Sequence, residues 1–375
     1  MKKIREEYKK IAAIFLIWML VVNLFALFAF NRFNLEDDTA YGWMAYGNYS
    51  FEKSWDPIAL HSRWDSLWYL DIAQNGYRFD GLEQLSNIVF FPLYPILISI
   101  ASFFTAGDFV LAGWAISSLF LFLSLVYLFK ITKKFHPEAD PFLAIFLLLI
   151  FPTAFFLNAV YTESLFLFLT VAAFYYGMEK NFVRAGIFGM LVSLTRITGI
   201  LLFIPLLWEF FRSCDFKLKN CKSPNILPLF LIPLGTLIFF LYHYFRFGNF
   251  FLFLDVEKAW GRAFSLQEEH FQFLTSPAIV NFLLDAFFVI FILAVTSLVF
   301  KKLRFSYGLY MLSTVALAIS TGTLMSVGRY FLILFPIYIL LASVKNQYVR
   351  QAWILASTLF FAMYTILFVN NYWAG

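Results

Sequence analysis

The sequence predicts an all-α polytopic membrane protein, and three observations carry that prediction. Hydrophobic residues make up 62% of the 375 positions and charged residues only 14%, against the roughly one-quarter charged of soluble domains. Phe alone occurs 52 times. Apolar runs long enough to cross about 30 Å of hydrocarbon as helices recur from end to end. They are continuous rather than alternating, which excludes a transmembrane barrel.

Eleven spans are expected, at 11–30, 109–130, 141–157, 162–178, 182–196, 198–212, 227–245, 278–300, 306–324, 329–344 and 351–371. The first, IAAIFLIWMLVVNLFALFAF, follows MKKIREEYKK and has no small-residue cleavage site after it, so a retained helix is expected rather than a signal peptide. FFPLYPILISIASFF (Phe90–Phe104) is also apolar. Pro92 and Pro95 near its start favour an interfacial or re-entrant helix that does not cross. The whole chain, 1–375, reads as one integral-membrane domain with external loops at about 31–108 and 246–277.

The lysines and arginines set the expected orientation. They cluster in MKKIREEYKK, KITKK, EKNFVR, RSCDFKLKNCK, KKLR and KNQYVR, which the positive-inside rule places in the cytoplasm. If Phe90–Phe104 does not cross, 19 of the 28 Lys and Arg lie inside, and 16 of the 23 Asp and Glu lie outside or at that edge. The N-terminus is then cytoplasmic and the C-terminus external. The net charge of +5 is accounted for by topology and gives no reason to expect nucleic acid. Cys214 and Cys221 have no His or Cys nearby to complete a metal site and read as free thiols.

With that orientation, the unusual polar segments meet at the external face: RWDSLWYLDIAQNGY (63–77), NAVYTES (158–164), LTRITG (194–199), the loop 246–277 and SVGRY (326–330). Such convergence points to a binding or catalytic site. Trp64–Gln74 reads as a surface helix with an apolar stripe of Trp64, Leu67, Trp68 and Ile72, ended by Asn75-Gly76. Asp65 and Asp71 lie about 120° apart around such a helix, so they do not form a paired dyad. Each is either a general base or a solvated surface charge. Glu163 is either a helix N-terminal acid with Thr162 as cap or a second acid of the site. Arg196 and Arg329 sit at the edges of apolar runs, where charge needs a partner. They fit either a phosphate or a carboxylate such as Glu163 or Asp285. The aromatics of 246–277 suggest an interfacial helix covering the site. His243 and His270 are isolated and read as structural. No Walker loop, dinucleotide glycine pattern or H-E-x-x-H is present, so nucleotide hydrolysis and zinc proteolysis have no support.

Taken in order, RWDSLWYLDIAQNGY, FFPLYPIL, FPTAFFLNAVYTESLFLFLT, SLTRITG and GRYFLILFPIYILLA resemble the PIG-V family over about 63–342. That family adds the second mannose in glycosylphosphatidylinositol assembly and has prokaryotic relatives. The resemblance implies the GT-C glycosyltransferase architecture, with many helices, a long first external loop carrying a catalytic Asp, and a polyprenyl-phosphate sugar as donor. The family's W-D motif falls on Trp64 and Asp65, its Y-[ST]-E-[SA] motif on Tyr161 to Ser164, and its two arginines on Arg196 and Arg329. Asp65 is the expected base, with Asp71 its alternative and Glu163 the third candidate catalytic acid. Arg196, Arg329, Tyr330, Trp64, Tyr69 and Tyr161 are expected to bind substrate and phosphate. The acceptor is a lipid or a glycan. No spacing requires a cofactor, and no metal ligand set is assigned, although a divalent ion is compatible with the chemistry. A prokaryotic plasma membrane is the expected location. The rival reading is a transporter or flippase of a lipid-linked sugar; such proteins usually carry internal repeats and midplane charges, and no repeat is seen here.

Overall fold

The computed structural model describes residues 2–33, 56–217, 219, 221, 226–260, 279–320, 324 and 326–374. No β-strand occurs among them. The helices are α1 (Lys2–Arg32), α2 (Ser66–Asn75), α3 (Leu93–Ser102), α4 (Phe109–Phe135), α5 (Pro141–Leu149), α6 (Glu163–Met178), α7 (Phe182–Ser193), α8 (Phe203–Ser213), α9 (Leu231–Phe247), α10 (Leu252–Glu257), α11 (Ile279–Lys302), α12 (Phe305–Ser320), α13 (Val327–Leu332), α14 (Pro336–Ala342) and α15 (Gln347–Val369).

Among the described residues, five stretches are long and apolar enough to span a bilayer: Ile4–Arg32, Phe109–Phe135, Leu227–Phe247, Phe282–Lys302 and Gln347–Val369. The chain is a multi-pass membrane protein, but eleven unbroken spans are not what it forms. The expected span 141–157 stops at Leu149 just before Pro152, and residues 154–157 form a separate 3₁₀ turn. The expected span 329–344 is two short helices parted before Pro336. Proline lacks an amide donor and disfavours helix in the residue before it, so apolar continuity outlasts helical continuity at both places.

α3 has 10 residues, a length of about 15 Å. By itself it is about half of the roughly 30 Å of hydrocarbon, a length that suits the interfacial or re-entrant helix expected from Pro92 and Pro95. It packs back along the start of α4, with the Tyr94 hydroxyl 3.1 Å from the Gly113 carbonyl and 2.7 Å from Ser117 Oγ. α6 is apolar on every side and almost wholly buried, as expected of a central helix of a bundle.

α6 also separates two ends. Glu163 opens it and Glu179 caps its far end, about 24 Å away at 1.5 Å per residue. At the Glu179 end the basic clusters meet. Lys134 pairs with Glu179 at 2.6 Å, Lys133 with Glu7 at 2.5 Å, and Arg304 with the buried Glu209 at 3.0 Å. Three segments that the positive-inside rule assigned to one face are therefore in contact at one end of the bundle, and Arg304 of a fourth lies 5.4 Å from the ring of Phe135, next to Lys134.

The cysteine expectation is corrected. Asp215 and Phe216 both adopt left-handed backbone and turn the chain back after α8. This brings Cys214 and Cys221 to a Cα–Cα distance of 5.3 Å, where they form a disulfide. Sequence spacing alone does not reveal that turn.

Candidate active site

RWDS opens the site. His61, just upstream, is fully buried and stacked on Phe155. The Asn23 amide group donates to the Met19 carbonyl, so its Oδ1 accepts from His61 Nε2–H at 2.6 Å. Burial pushes the His61 imidazole down to about 3, so the ring is neutral and acts as an anchor to α1. Trp64 then takes a left-handed φ of 54°, uncommon for a bulky residue. Its indole Nε1–H donates to the Tyr372 carbonyl and its ring meets Trp373 edge-on. Trp64 is thus a wedge that fixes the turn and does not line the cleft. The helix starts at Ser66 with Asp65 at its N-cap, two residues later than expected, and ends at Gly76 with φ of 80°. Its buried face is Ser66, Tyr69, Leu70 and Ile72, while Leu67 of the expected stripe is exposed. The correction has a local cause: the strained turn at Trp64 rotates the helix from the register that an unbroken Trp64–Gln74 helix would have.

Tyr161 holds the same turn from the other side. Its hydroxyl donates to the Arg63 carbonyl at 3.0 Å and accepts from the Asp65 amide at 3.2 Å. Tyr161→Phe removes both bonds inside a buried site. Each is worth about 1 kcal/mol, so activity at this site is expected to fall on the order of tenfold, with a small drop in melting temperature. A rate assay beside a thermal melt measures both, and an unchanged rate would show that the turn holds without the phenol.

Glu163 is fully buried. Thr162 makes no side-chain capping bond, so the capping expectation is not met. The partners of Glu163 are cations instead. Its Oε1 lies 3.0 Å from Arg329 Nε and 3.2 Å from Arg196 Nη2. Arg329 Nη1 lies 2.8 Å from Asp65 Oδ2. One guanidinium therefore bridges two carboxylates, and the second is tied to the inner one. The two sequence readings of the arginines, pairing with Glu163 and lining a site, hold together. Glu163 Oε2 and Arg196 Nη1 are buried with no hydrogen-bond partner among the described residues. Burying such charges is costly unless each is paired, which the network supplies with two cations and two anions.

The fold sets each arginine. Arg329, in α13, lies between the rings of Phe156 and Tyr161, 5.4 and 5.0 Å from their centroids. The Thr153 hydroxyl donates to the Gly328 carbonyl at 2.9 Å and ties the two segments together. Arg196 follows the end of α7, with its guanidinium 5.2 Å from the Tyr330 ring. The chain then doubles back: a Cβ at Gly199 would stand 2.5 Å from the Ser193 amide nitrogen and the Val192 carbonyl, so only glycine permits this approach. The Leu93 amide donates to the Leu194 carbonyl at 3.0 Å and joins the start of α3 to the same break.

Asp65, Arg196 and Arg329 border a cleft that is partly open at its mouth. It is lined by Asp65, Tyr69, Arg196, Arg329 and Tyr330, with Glu257 at the end of α10 and Trp260 just after it. Burial pushes the Tyr69 phenol up, so it remains a neutral donor. Asp71 is not part of the cleft. Its two oxygens accept from Asn75 and Asn87 amides, each at 2.8 Å, and stitch α2 to the turn at 87–89. Asp65 and Asp71 thus diverge, as the helical spacing required. Glu257 and Trp260 were missed as individual residues. The aromatic richness of 246–277 was their signal, and the part of that loop from 261 to 277, with His270, lies outside the described residues. His243 packs among Phe239, Tyr77 and Tyr242. Among the described residues no group of three or more His, Cys, Asp or Glu stands close enough to hold a metal.

Known proteins share this architecture. No curated protein matches the sequence. Among solved structures, the fold resembles ArnT from Cupriavidus metallidurans bound to undecaprenyl phosphate, with a TM-score of 0.52 and 11% identity over 95% of this chain and 76% of that one. The Archaeoglobus fulgidus oligosaccharyltransferase is a looser match, with a TM-score of 0.46 and 16% identity over 96% of this chain and 53% of that one. The likeness to ArnT bears out the GT-C architecture expected from the motifs. The family model described as Mannosyltransferase (PIG-V) matches residues 14–203, just over half the chain. The chain is a membrane glycosyltransferase and belongs to the PIG-V mannosyltransferase family.

Proposed function

We propose that the cleft transfers a hexose, mannose, from a polyprenyl-phosphate donor to a lipid or glycan acceptor with inversion at the anomeric carbon. The observation that carries this reading is the placement of Arg329, which contacts Asp65 at the cleft and Glu163 behind it. One carboxylate able to take a proton and two cations able to hold a phosphate stand side by side. In the reaction, the acceptor hydroxyl oxygen forms a bond to the anomeric carbon as the bond from that carbon to the phosphate oxygen breaks. Asp65 takes the hydroxyl proton. The polyprenyl phosphate leaves with the electron pair, and Arg196 and Arg329 balance the charge it gains. Both guanidinium groups fit phosphate oxygens in the bidentate manner typical of arginine. The ArnT structure was solved bound to undecaprenyl phosphate, which supports a donor of the same class here. Asp71, occupied by two amides, is the weaker candidate for the base.

The phosphate donor is already activated, so the reaction needs no nucleotide, and none of the steps requires a metal. The cleft lies at the end of the bundle remote from the basic clusters. By the positive-inside rule that end is external and the N-terminus cytoplasmic, which suits a plasma membrane of prokaryotic type and a donor flipped to the outer leaflet. The test is transfer of labelled mannose from synthetic polyprenyl-phosphate mannose, and separately from a nucleotide-linked mannose, by membranes holding the protein. Transfer from the lipid donor alone is the expected result. Transfer from the nucleotide sugar alone would overturn the reading.

A further inference from the structure

The arginines and Asp65 account for only part of the cleft. Away from Thr195, Ile197 and Thr198, which flank Arg196, one wall is of a different character: Val89, Phe90, Phe91, Phe253 and Trp260, with Glu257 as its carboxylate among the described residues. This part is firmly built. Leu252 and Val256 of α10 pack on Ile88, and Phe253 packs on Phe91 with ring centroids 5.5 Å apart. The Trp260 amide donates to the Glu257 carbonyl at 3.1 Å, so a single turn carries both side chains to the cleft. The Trp260 ring is held edge-on by Trp68 at 5.4 Å and by Phe90 at 5.5 Å.

We infer that this wall, Glu257 and Trp260 above all, is the binding site for the pyranose ring of the donor. The inference rests on the donor reading given above and deepens it. Aromatic rings offer a phosphate no hydrogen-bond donors, and a carboxylate gives nothing to a prenyl chain. A pyranose suits both features. Its C–H face covers an aromatic ring, and its hydroxyls donate to a carboxylate in charge-assisted hydrogen bonds. With phosphate at the arginines and sugar at Trp260, the anomeric carbon falls between the two sets of residues. The wall would then select the sugar, while the arginines select the lipid phosphate.

The test separates the two contributions by binding alone. Purified protein is titrated with polyprenyl phosphate and with polyprenyl-phosphate mannose, as wild type and as Glu257→Gln, Trp260→Ala and Trp260→Phe. Glu257→Gln and Trp260→Ala are each expected to weaken the mannosylated lipid on the order of tenfold, the size of one charge-assisted hydrogen bond or one stacked ring. Both should leave polyprenyl phosphate within about twofold, which also shows that the variants are folded, and Trp260→Phe should keep most of the affinity. Variants that bind both lipids as wild type does would overturn the sugar site alone. The same holds for a defect confined to the acceptor's KM in transfer assays, which would give the wall to the acceptor. A wild-type protein that binds neither lipid would remove the donor reading itself.

Discussion

Asp65→Asn is expected to lower kcat for sugar transfer by a factor on the order of 10²–10⁴, the usual contribution of a positioned general base, while donor binding is kept or strengthened. The asymmetry follows from the geometry. Asparagine has nearly the shape of aspartate, and the neighbouring Asp65 amide stays bonded to Tyr161. What is lost is the proton acceptor, together with the anion 2.8 Å from Arg329. An Arg329 no longer shared with Asp65 is a better partner for an incoming phosphate. The informative result is therefore a split: kcat falls while KM for the donor does not rise. Single-turnover transfer at saturating donor, beside equilibrium binding of polyprenyl phosphate to the same preparation, measures both. If donor affinity fell in step with the rate, Asp65 would be a binding residue rather than the base. If neither changed, the base would lie elsewhere, with Asp71 first in line despite its two amide partners.

Much of the site was legible in the sequence because charge inside apolar surroundings is conspicuous. Arg196, Arg329 and Glu163 each stand beside apolar runs, and the cost of burying a lone charge already required partners for them. Which partner each takes was not legible, since it depends on how the segment 153–163 folds against α13 and how α7 ends. Those arrangements rest on the close approach at Gly199 and on the Thr153 bond to the Gly328 carbonyl, contacts between segments far apart in the chain. The count of eleven spans is not confirmed, for a related reason. Hydropathy records whether a segment is apolar, but a proline such as Pro152 or Pro336 ends the helix without ending the apolar run. The short α3 was legible because its prolines and the distribution of Lys and Arg pointed the same way. Glu257 and Trp260 went unnoticed because an exposed acid and an aromatic residue in a loop look like any others until the fold turns them into a cleft.

Glu163→Gln should show whether the arginines are held by charge or by shape. Glu163 touches both guanidinium groups through a single oxygen, and it is fully buried behind the cleft rather than lining it. Glutamine fills the same space but removes the anion, leaving Arg196 and Arg329 as neighbouring cations, with Asp65 the carboxylate still paired with Arg329 among the described residues. Removing one partner of a buried ion pair costs about 3–5 kcal/mol, so a clear fall in melting temperature is expected. Transfer should fall as well, because both phosphate-binding groups lose the contact that orients them. A merely structural loss and a loss of arginine placement separate when polyprenyl phosphate is added. The phosphate supplies the missing negative charge, so it should raise the melting temperature of the Gln variant by more than it raises that of the wild type, through binding to the folded state alone. An equal rise in both would mean that the phosphate does not sit against Arg196 and Arg329, and the proposed leaving-group site would have to move. A melting temperature unchanged by the substitution would mean that Glu163 carries no charge in the folded protein, and that Asp65 alone balances the pair.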